Sequence, residues 1–274
     1  MSSTHDRAFG AAIAEVYESH LVPLIFEPYA AIAAERLVQM HPTRVLEIAA
    51  GTGVLTRAMS ARLPASVEII ASDLNQAMIQ RAQTVGTARP VQWRQADAMT
   101  LPFADASVDA IVCQFGAMFF PDKARAFAEA RRVLAPGGTL LFSVWDRIED
   151  NEFADVVTSA VGELFPDDPP VFLRRTPHGY FDRSTIAADL RGGGFTQHAT
   201  YETVAERSRA ASAKVVAVAY CEGTPLRTEI ETRGDVSLTE ATRHAEEAVA
   251  RRFGRGALDG KMQACLVSVR HKAG

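Results

Sequence analysis

From Arg44 onward the hydrophobic positions of the chain fall into short, near-continuous runs: RVLEIA, VEIIASD, PVQWRQAD, VDAIVCQFG and GTLLFSVWD. Runs of this length and density suit strands buried on both faces of a parallel sheet. Between them the spacing turns helical. Leu55, Met59 and Leu63 stand four apart, and Ala124, Phe127, Arg131 and Leu134 mark a helix that APGG terminates. Strand and helix alternating over about a hundred residues predict a doubly wound α/β domain. Upstream, residues 8–40 read as helices broken near Pro23 and Pro28, with Tyr29, Ile32, Ala33, Leu37 and Met40 at helical spacing and Pro42 as the stop.

Beyond Asp146 the order loosens. RIEDNEFADVVTSAVGELFPDDPPVFLRRTPHGYF holds one helical segment and then a proline-rich crossing that reads as a loop or lid. RSTIAADLRGGGF predicts a helix capped in the Asp182 or Ser184 region and ended by Gly192 to Gly194; TQHATYETVAE follows as a strand. A polar, helix-rich stretch from about 207 to 253 separates it from a last strand, MQACLVSVRH. The expected organisation is one domain over 1–274. It comprises an N-terminal helical lid (1–43), a core (44–146), two insertions over one end of the sheet (147–180 and 207–253), and segments 181–206 and 261–271 completing the sheet.

Composition adds exclusions. With 274 residues, 47% hydrophobic and 23% charged, the chain can bury a core without staples. Cys113, Cys221 and Cys265 are odd in number and far apart, so neither a disulfide framework nor a zinc ribbon is expected, and no metal. The opening MSSTHDRAFGAAIAEVYESH has no basic region leading into an apolar one, and no run approaches the roughly 18 apolar residues that span a bilayer. A cytoplasmic protein with no stable membrane insertion is the expectation. A net charge of −4 with scattered arginine pairs argues against a nucleic-acid partner.

The candidate chemistry starts at AAGTGV, the first strand-to-helix turn, where an open parallel sheet binds ligands through backbone N–H groups. Gly51 and Gly53 let the backbone turn tightly and approach a ligand closely. Thr56 stands where G-x-G-x-x-G would need its third glycine, so the dinucleotide fingerprint is incomplete. Asp73 follows Gly51 by 22 positions, where an acid accepts from ribose hydroxyls; the plainer alternative is that Asp73 or Asn75 only caps the next helix. Glu47, a carboxylate in a buried strand, needs a partner: a cationic ligand or amides of the neighbouring loop. Asp97 follows the third strand and can accept from an exocyclic amine, whereas Asp105 to Asp109 read as a turn.

In order along the chain, VLEIAAGTGVLT, IIASDLNQAMIQRA, QADAMTLPFADASVDAIVCQFGAMFF and EARRVLAPGGTLLFSVWD resemble successive motifs of the class I S-adenosylmethionine-dependent methyltransferases. Within that class they are most similar to small-molecule enzymes of the ubiquinone and menaquinone C-methyltransferase kind. The resemblance covers about Arg44 to Asp146. It implies a Rossmann-like, mostly parallel seven-stranded sheet with an antiparallel last strand, which MQACLVSVRH fits. It also implies S-adenosyl-L-methionine as cofactor and S-adenosyl-L-homocysteine as product. Carried over by position, Glu47, Ala49, Gly51, Thr52 and Gly53 surround the methionine and ribose part and Asp73 holds the ribose diol. Leu74 packs on adenine, Asp97 with Ala98 reads the adenine amine, and Gln114 lines the wall near the sulfonium. Ala49 departs from the pattern, in which glycine is more usual.

The reaction so implied is an in-line displacement, which asks the protein to align a nucleophile and exclude water. Candidate bases are Tyr17, His20, Asp146 and His178; in plainer readings Tyr17 is a lid aromatic and His178 a solvated loop residue. Tyr17, Phe26, Tyr29, Phe115, Phe119 and Trp145, with Met118 and the insertions after residue 147, are expected to line the site of a small, partly hydrophobic or aromatic methyl acceptor. For Phe26, Phe119 and Phe120 the alternative is simple core closure. Two rivals stay open: a cofactor-binding protein without catalysis, and a nicotinamide-dependent dehydrogenase, which Thr56 and Pro136 to Gly138 disfavour. A homodimer is compatible with the sequence, which leaves the oligomeric state open.

Overall fold

The computed structural model describes residues 11–272. Strands β1 (Arg44–Ile48), β2 (Glu68–Asp73), β3 (Gln92–Gln95), β4 (Val108–Gln114), β5 (Leu134–Trp145), β6 (Thr200–Ala210) and β7 (Leu258–Arg270) form one sheet in the order β3-β2-β1-β4-β5-β7-β6. β1 to β5 pair in parallel; β7 is antiparallel to both β5 and β6, so six strands point one way and β7 returns. The expected seven-stranded sheet with a reversed last strand is therefore what forms. The order reverses direction between β1 and β4, the switch point at which carboxyl-end loops diverge and leave a crevice.

The helices are α1 (Ala11–Val16), α2 (Glu27–Met40), α3 (Val54–Arg62), α4 (Gln76–Val85), α5 (Lys123–Val133), α6 (Glu152–Glu163), α7 (Phe172–Arg175), α8 (Arg183–Gly192), α9 (Ala213–Glu222), α10 (Leu226–Arg233) and α11 (Leu238–Phe253), with a π-helical segment at Tyr17–Phe26. Alternate side chains of β1 explain its apolar run. Val45 joins Leu37, Leu55 and Met59 under α2 and α3, while Leu46 and Ile48 join Ile111, Phe142 and Val157 on the other face. Both faces are covered, so period-two alternation never shows. At the foot of β1, the Asp109 carboxylate accepts from the amides of Thr43 (2.8 Å) and Arg44 (3.1 Å), fixing where the strand enters the sheet.

Three expected boundaries are corrected. The N-terminal segment is not broken at its prolines: α1, the π-helical turns and α2 follow without a gap from Ala11 to Met40. Pro23 lies inside the wider π-helix, and Pro28 sits in the first turn of α2, where an amide has no intrahelical partner to lose. The part of this prediction at 8–10 lies outside the described residues. Leu134 belongs to β5 rather than to the preceding helix, and Ala135–Gly138 loop out as a register shift between the pairs Val108–Leu134 and Ala110–Thr139. Finally, β6 continues to Ala210 and β7 starts at Leu258, because Arg207, Ser208, Arg209 and Ala210 pair with residues 261 to 258. Arg207 and Arg209 are exposed while Ser208 and Ala210 are buried, so a stretch read as polar and helical is an alternating strand.

Candidate functional site

A cavity opens at the switch point, where open α/β sheets hold their ligands. Its floor is the turn after β1. Ala49 (φ 56°), Gly51 (φ 55°) and Gly53 (φ 85°) all take left-handed backbone, which swings the chain sharply from strand into α3. Gly51 lines the cavity, and a Cβ there would stand 3.7 Å from the Tyr17 hydroxyl oxygen. Gly53 does not line it. Its job is packing: a Cβ at Gly53 would meet the Trp93 ring at 2.9 Å and Ala82 at 3.1 Å.

Asp73, ending β2, is 7% exposed and lines the cavity. Its Oδ2 accepts from the Gly51 amide and its Oδ1 from the Asn75 amide, each at 2.8 Å. Burial pushes this carboxyl up in pKa, and those backbone donors pull the other way. Asn75 occupies the N-cap position of α4, yet its side chain makes no capping bond, so capping alone does not describe the pair. Leu74 presents an exposed apolar face at the cavity. Asp97, whose Oδ1 accepts from the Met99 amide at 2.9 Å, lines it together with Ala98. From the end of β4, Gln114 donates through Nε2 to the Phe26 carbonyl (3.3 Å), while its Oε1 is buried without a hydrogen-bond partner.

Two residues expected against the ligand lie behind the turn instead. Glu47 is 1% exposed and accepts from the Thr56 hydroxyl at 2.5 Å. The partner the structure gives it is a side chain on α3 and not a loop amide. Burial pushes the carboxyl up to about 8. Thr52 is likewise buried, its carbonyl accepting from Arg57 Nη1 at 2.7 Å. The same arginine pairs with Glu18 of the π-helical segment through Nη2, also at 2.7 Å, and so ties the N-terminal helices down over the turn.

A second cavity, of about 570 Å³, adjoins the first and shares Tyr17, Phe115 and Phe119 with it. Phe115 and Trp145 stack at 3.9 Å with 5° between their planes. Phe26 lines this cavity, with its ring 5.6 Å from Phe115 and 6.0 Å from Trp145. Tyr29 does not reach it. That ring stands edge-on to Phe115 and Trp145 from behind, with its hydroxyl donating to the Val204 carbonyl at 3.2 Å. Met118 is buried core and lines neither cavity.

The four candidate bases separate. Tyr17 reaches both cavities, its phenol pushed up in pKa by burial and then by Asp73. His178 is buried rather than solvated, and its Nδ1 lies 2.8 Å from the Asp146 carbonyl oxygen. Burial lowers its pKa to about 4, so the ring is neutral. Asp146 lines neither cavity: Gln263 Nε2 and the Arg147 amide hold its carboxylate at 2.8 and 2.9 Å. His20 sits against the Ser19 hydroxyl and lines neither. Residues that no sequence signal marked complete the second cavity, among them Phe172, Leu173, Tyr220 and Thr224 from the two insertions. Among the described residues no group of three or more His, Cys, Asp or Glu converges as a metal site would, and no helix is long and apolar enough to cross a membrane.

Known proteins share this arrangement. The family described as "Methyltransferase domain" matches residues 46–142. The chain is 41% identical over 113 residues to the demethylmenaquinone methyltransferase of Deinococcus radiodurans, an alignment covering 40% of this chain and 46% of that one. It is 30% identical over 168 residues to the ubiquinone/menaquinone biosynthesis C-methyltransferase of Stutzerimonas stutzeri, covering 57% and 66%. The chain thus spans about half to two thirds of the length of these relatives. Among solved structures, a Haemonchus contortus phosphoethanolamine N-methyltransferase in complex with S-adenosyl-L-methionine superposes with a TM-score of 0.59 at 16% identity, covering 97% of this chain and 59% of that one. The cyclase SpnF gives a TM-score of 0.52 at 20% identity, with 90% and 81% covered. At such identities the likeness speaks for the fold alone, and the cyclase is a reminder that one fold hosts different chemistries. The motif match, the sheet order and the turn-and-acid geometry agree: through residues 46–142 the chain belongs to the class I S-adenosylmethionine-dependent methyltransferases.

Proposed function

We propose that the chain transfers a methyl group from S-adenosylmethionine, held in the first cavity, to a small, partly hydrophobic or aromatic acceptor held in the second. The observation that carries this reading is the shared wall: Tyr17, Phe115 and Phe119 border both cavities, so a donor in one and an acceptor in the other meet there. The cofactor supplies a sulfonium-bound methyl group. The chain's own residues bind, orient and exclude water. In this reading Asp73 accepts from the ribose hydroxyls, Asp97 from the adenine amine, and Leu74 and Met78 offer apolar contact to the base, a reading supported by the fact that all four line the first cavity. The unpartnered Gln114 Oε1 is an acceptor near the shared wall, fitting a ligand that donates there. Residues 11–40 and the two insertions act as the covers that keep water from the displacement.

The quinone-pathway names of the relatives favour a ring-bearing acceptor, in keeping with the Phe115–Trp145 stack. Calorimetry with S-adenosylmethionine, S-adenosylhomocysteine and NAD tests the cofactor, and methyl release over a panel of phenols, quinones, amines and carboxylates tests the reaction. Tight NAD binding without a response to S-adenosylhomocysteine sinks the reading. S-adenosylhomocysteine binding with no methyl release from any class points instead to a binding protein without catalysis.

A further inference from the structure

The second cavity carries more chemistry than an apolar slot needs. Among the described residues lining it there is no Asp, Glu, Lys or Arg. An ion placed there would be desolvated with no opposite charge to repay it, whether carboxylate, phosphate or ammonium. Tyr17, Asn151, Thr224, His178 and Tyr220 are the hydroxyl, amide and imidazole side chains that line it, and the last two, at 6% and 5% exposure, keep a ring nitrogen and a hydroxyl without a hydrogen-bond partner among the described residues.

For His178 the tautomer follows from its partner. A carbonyl oxygen only accepts, so the 2.8 Å contact to Asp146 O puts the proton on Nδ1 and leaves Nε2 as a bare acceptor. Neither Nε2 nor the Tyr220 hydroxyl makes a hydrogen bond among the described residues, and the Tyr220 main-chain carbonyl accepts from Thr224 Oγ1 at 2.7 Å. The Thr224 hydroxyl and the Asn151 amide in the wall are spent. Asn151 gives Nδ2 to the Arg147 carbonyl and receives the Gln263 amide on Oδ1, both at 3.0 Å. An acceptor and a donor without partners among the described residues thus belong to side chains that line a neutral cavity beside the stacked Phe115–Trp145 pair, where a ligand can satisfy both.

We infer that the second cavity binds an uncharged, flat aromatic molecule bearing a hydroxyl, which donates to His178 Nε2 and accepts from the Tyr220 hydroxyl. The inference rests on the proposed methyl-transfer reading for the role of that molecule as acceptor, but not for its binding. With a ring so weakly basic, His178 acts as a hydrogen-bond acceptor that orients the hydroxyl rather than as a sink for its proton. Specificity of this sort is strong because an analogue lacking the hydroxyl leaves two buried groups unpaired.

The test is calorimetry of the S-adenosylhomocysteine-saturated protein with four probes of one shape: 2-naphthol, 2-methoxynaphthalene, 2-naphthoate and 2-naphthylmethylammonium. The expectation is that 2-naphthol binds about tenfold or more tighter than each of the others. His178→Ala abolishes the preference for naphthol over its methyl ether. His178→Gln, which keeps an acceptor, restores part of it, and Tyr220→Phe weakens naphthol by about fivefold. S-adenosylhomocysteine affinity and melting temperature, measured on every variant, show whether a loss is local. Equal binding of naphthol and its ether, tighter binding of naphthoate or the ammonium, or no naphthol binding overturns the inference. Should S-adenosylhomocysteine itself fail to bind, the cofactor reading falls, while the naphthol series on the free protein still decides this one.

Discussion

The two cavities share a wall and little else. The first is built from one short turn, the carboxylates that close β2 and β3, and the backbone between them; the second is built from side chains spread from Tyr17 to Pro225. The first offers two aspartates and backbone amides, the second rings and uncharged polar groups. A cofactor with fixed chemistry is held by local geometry, whereas an acceptor is held by whatever the covering segments bring together.

The comparison predicts that damage on one side spares the other, and the largest effect belongs to Asp73. Asp73→Ala removes charge-assisted bonds worth about 1.5–3 kcal/mol each, so S-adenosylhomocysteine affinity should fall by about a hundredfold or more in calorimetry. Naphthol binding to the same variant should change by less than about threefold. Because Asp73 also fastens the Gly51 and Asn75 amides, its melting temperature should drop too, and Asp73→Asn should recover stability more than affinity. A matched loss of both ligands would join the cavities into one unit and break the contrast drawn here.

Next in size is pH. Glu47 has a folded-state pKa raised to about 8, so its contribution to stability is full below the unfolded value near 4.5 and is lost as pH rises through 8. His178, lowered to about 4, works in reverse: its contribution is present above the unfolded value near 6.5 and is lost as pH falls through 4. Each has a ceiling of about 1.4 kcal/mol per pH unit inside its window. Denaturant melts between pH 5 and 7 should therefore show Glu47→Gln gaining on the parent by about 2 kcal/mol as pH rises. His178→Gln should gain as pH falls below about 6. The reverse slopes would mean that Glu47 is folded as a carboxylate or His178 as a cation.

How much of this was legible follows the same division. The sheet and first cavity could be read because strands buried on both faces are apolar runs, and because Gly51, Asp73 and Asp97 sit at fixed distances from strand ends. Glu47 and Thr52 misled for a physical reason: spacing places a residue on the turn but does not say whether its side chain faces the ligand or α3. Tyr29 misled in the same way, one ring too deep behind Phe115. Tyr220, Phe172 and Thr224 left no signal, since their places depend on how α7 packs on α6 and α10 and how α9 packs on α11 and the π-helical segment, and not on any neighbouring motif. His178 was visible as a residue type, but only its burial beside the Asp146 carbonyl turns it from a loop histidine into a neutral acceptor.

A smaller effect tests how tightly the floor of the first cavity is fitted. A Cβ on Gly116 would stand 2.5 Å from the Ala49 methyl and 2.8 Å from Cys113 Sγ, contacts that side chains do not tolerate. Gly116→Ala should destabilise by about 1–3 kcal/mol and lower cofactor affinity, because Gly116 borders the cavity. An unchanged melting temperature would mean that this part of the wall yields.

The smallest expected change is the most informative about the one departure from the family pattern. Ala49 holds a left-handed backbone (φ 56°), which costs a residue with a Cβ about 1–2 kcal/mol relative to glycine. Ala49→Gly relieves that cost but frees the unfolded chain, an opposing term of about 0.5–1 kcal/mol, so the net gain should be under about 1 kcal/mol. The alanine persists beside a glycine at 116, and the 2.5 Å approach says that the chain has room for one methyl between these two positions and not for two. Ala49→Gly should therefore rescue part of Gly116→Ala, the part owed to the methyl and not to Cys113. A thermodynamic cycle of the two changes should show coupling of about 1 kcal/mol. Simple additivity would mean that Cys113 alone sets the limit, and that the exchange of glycine for alanine at position 49 was free.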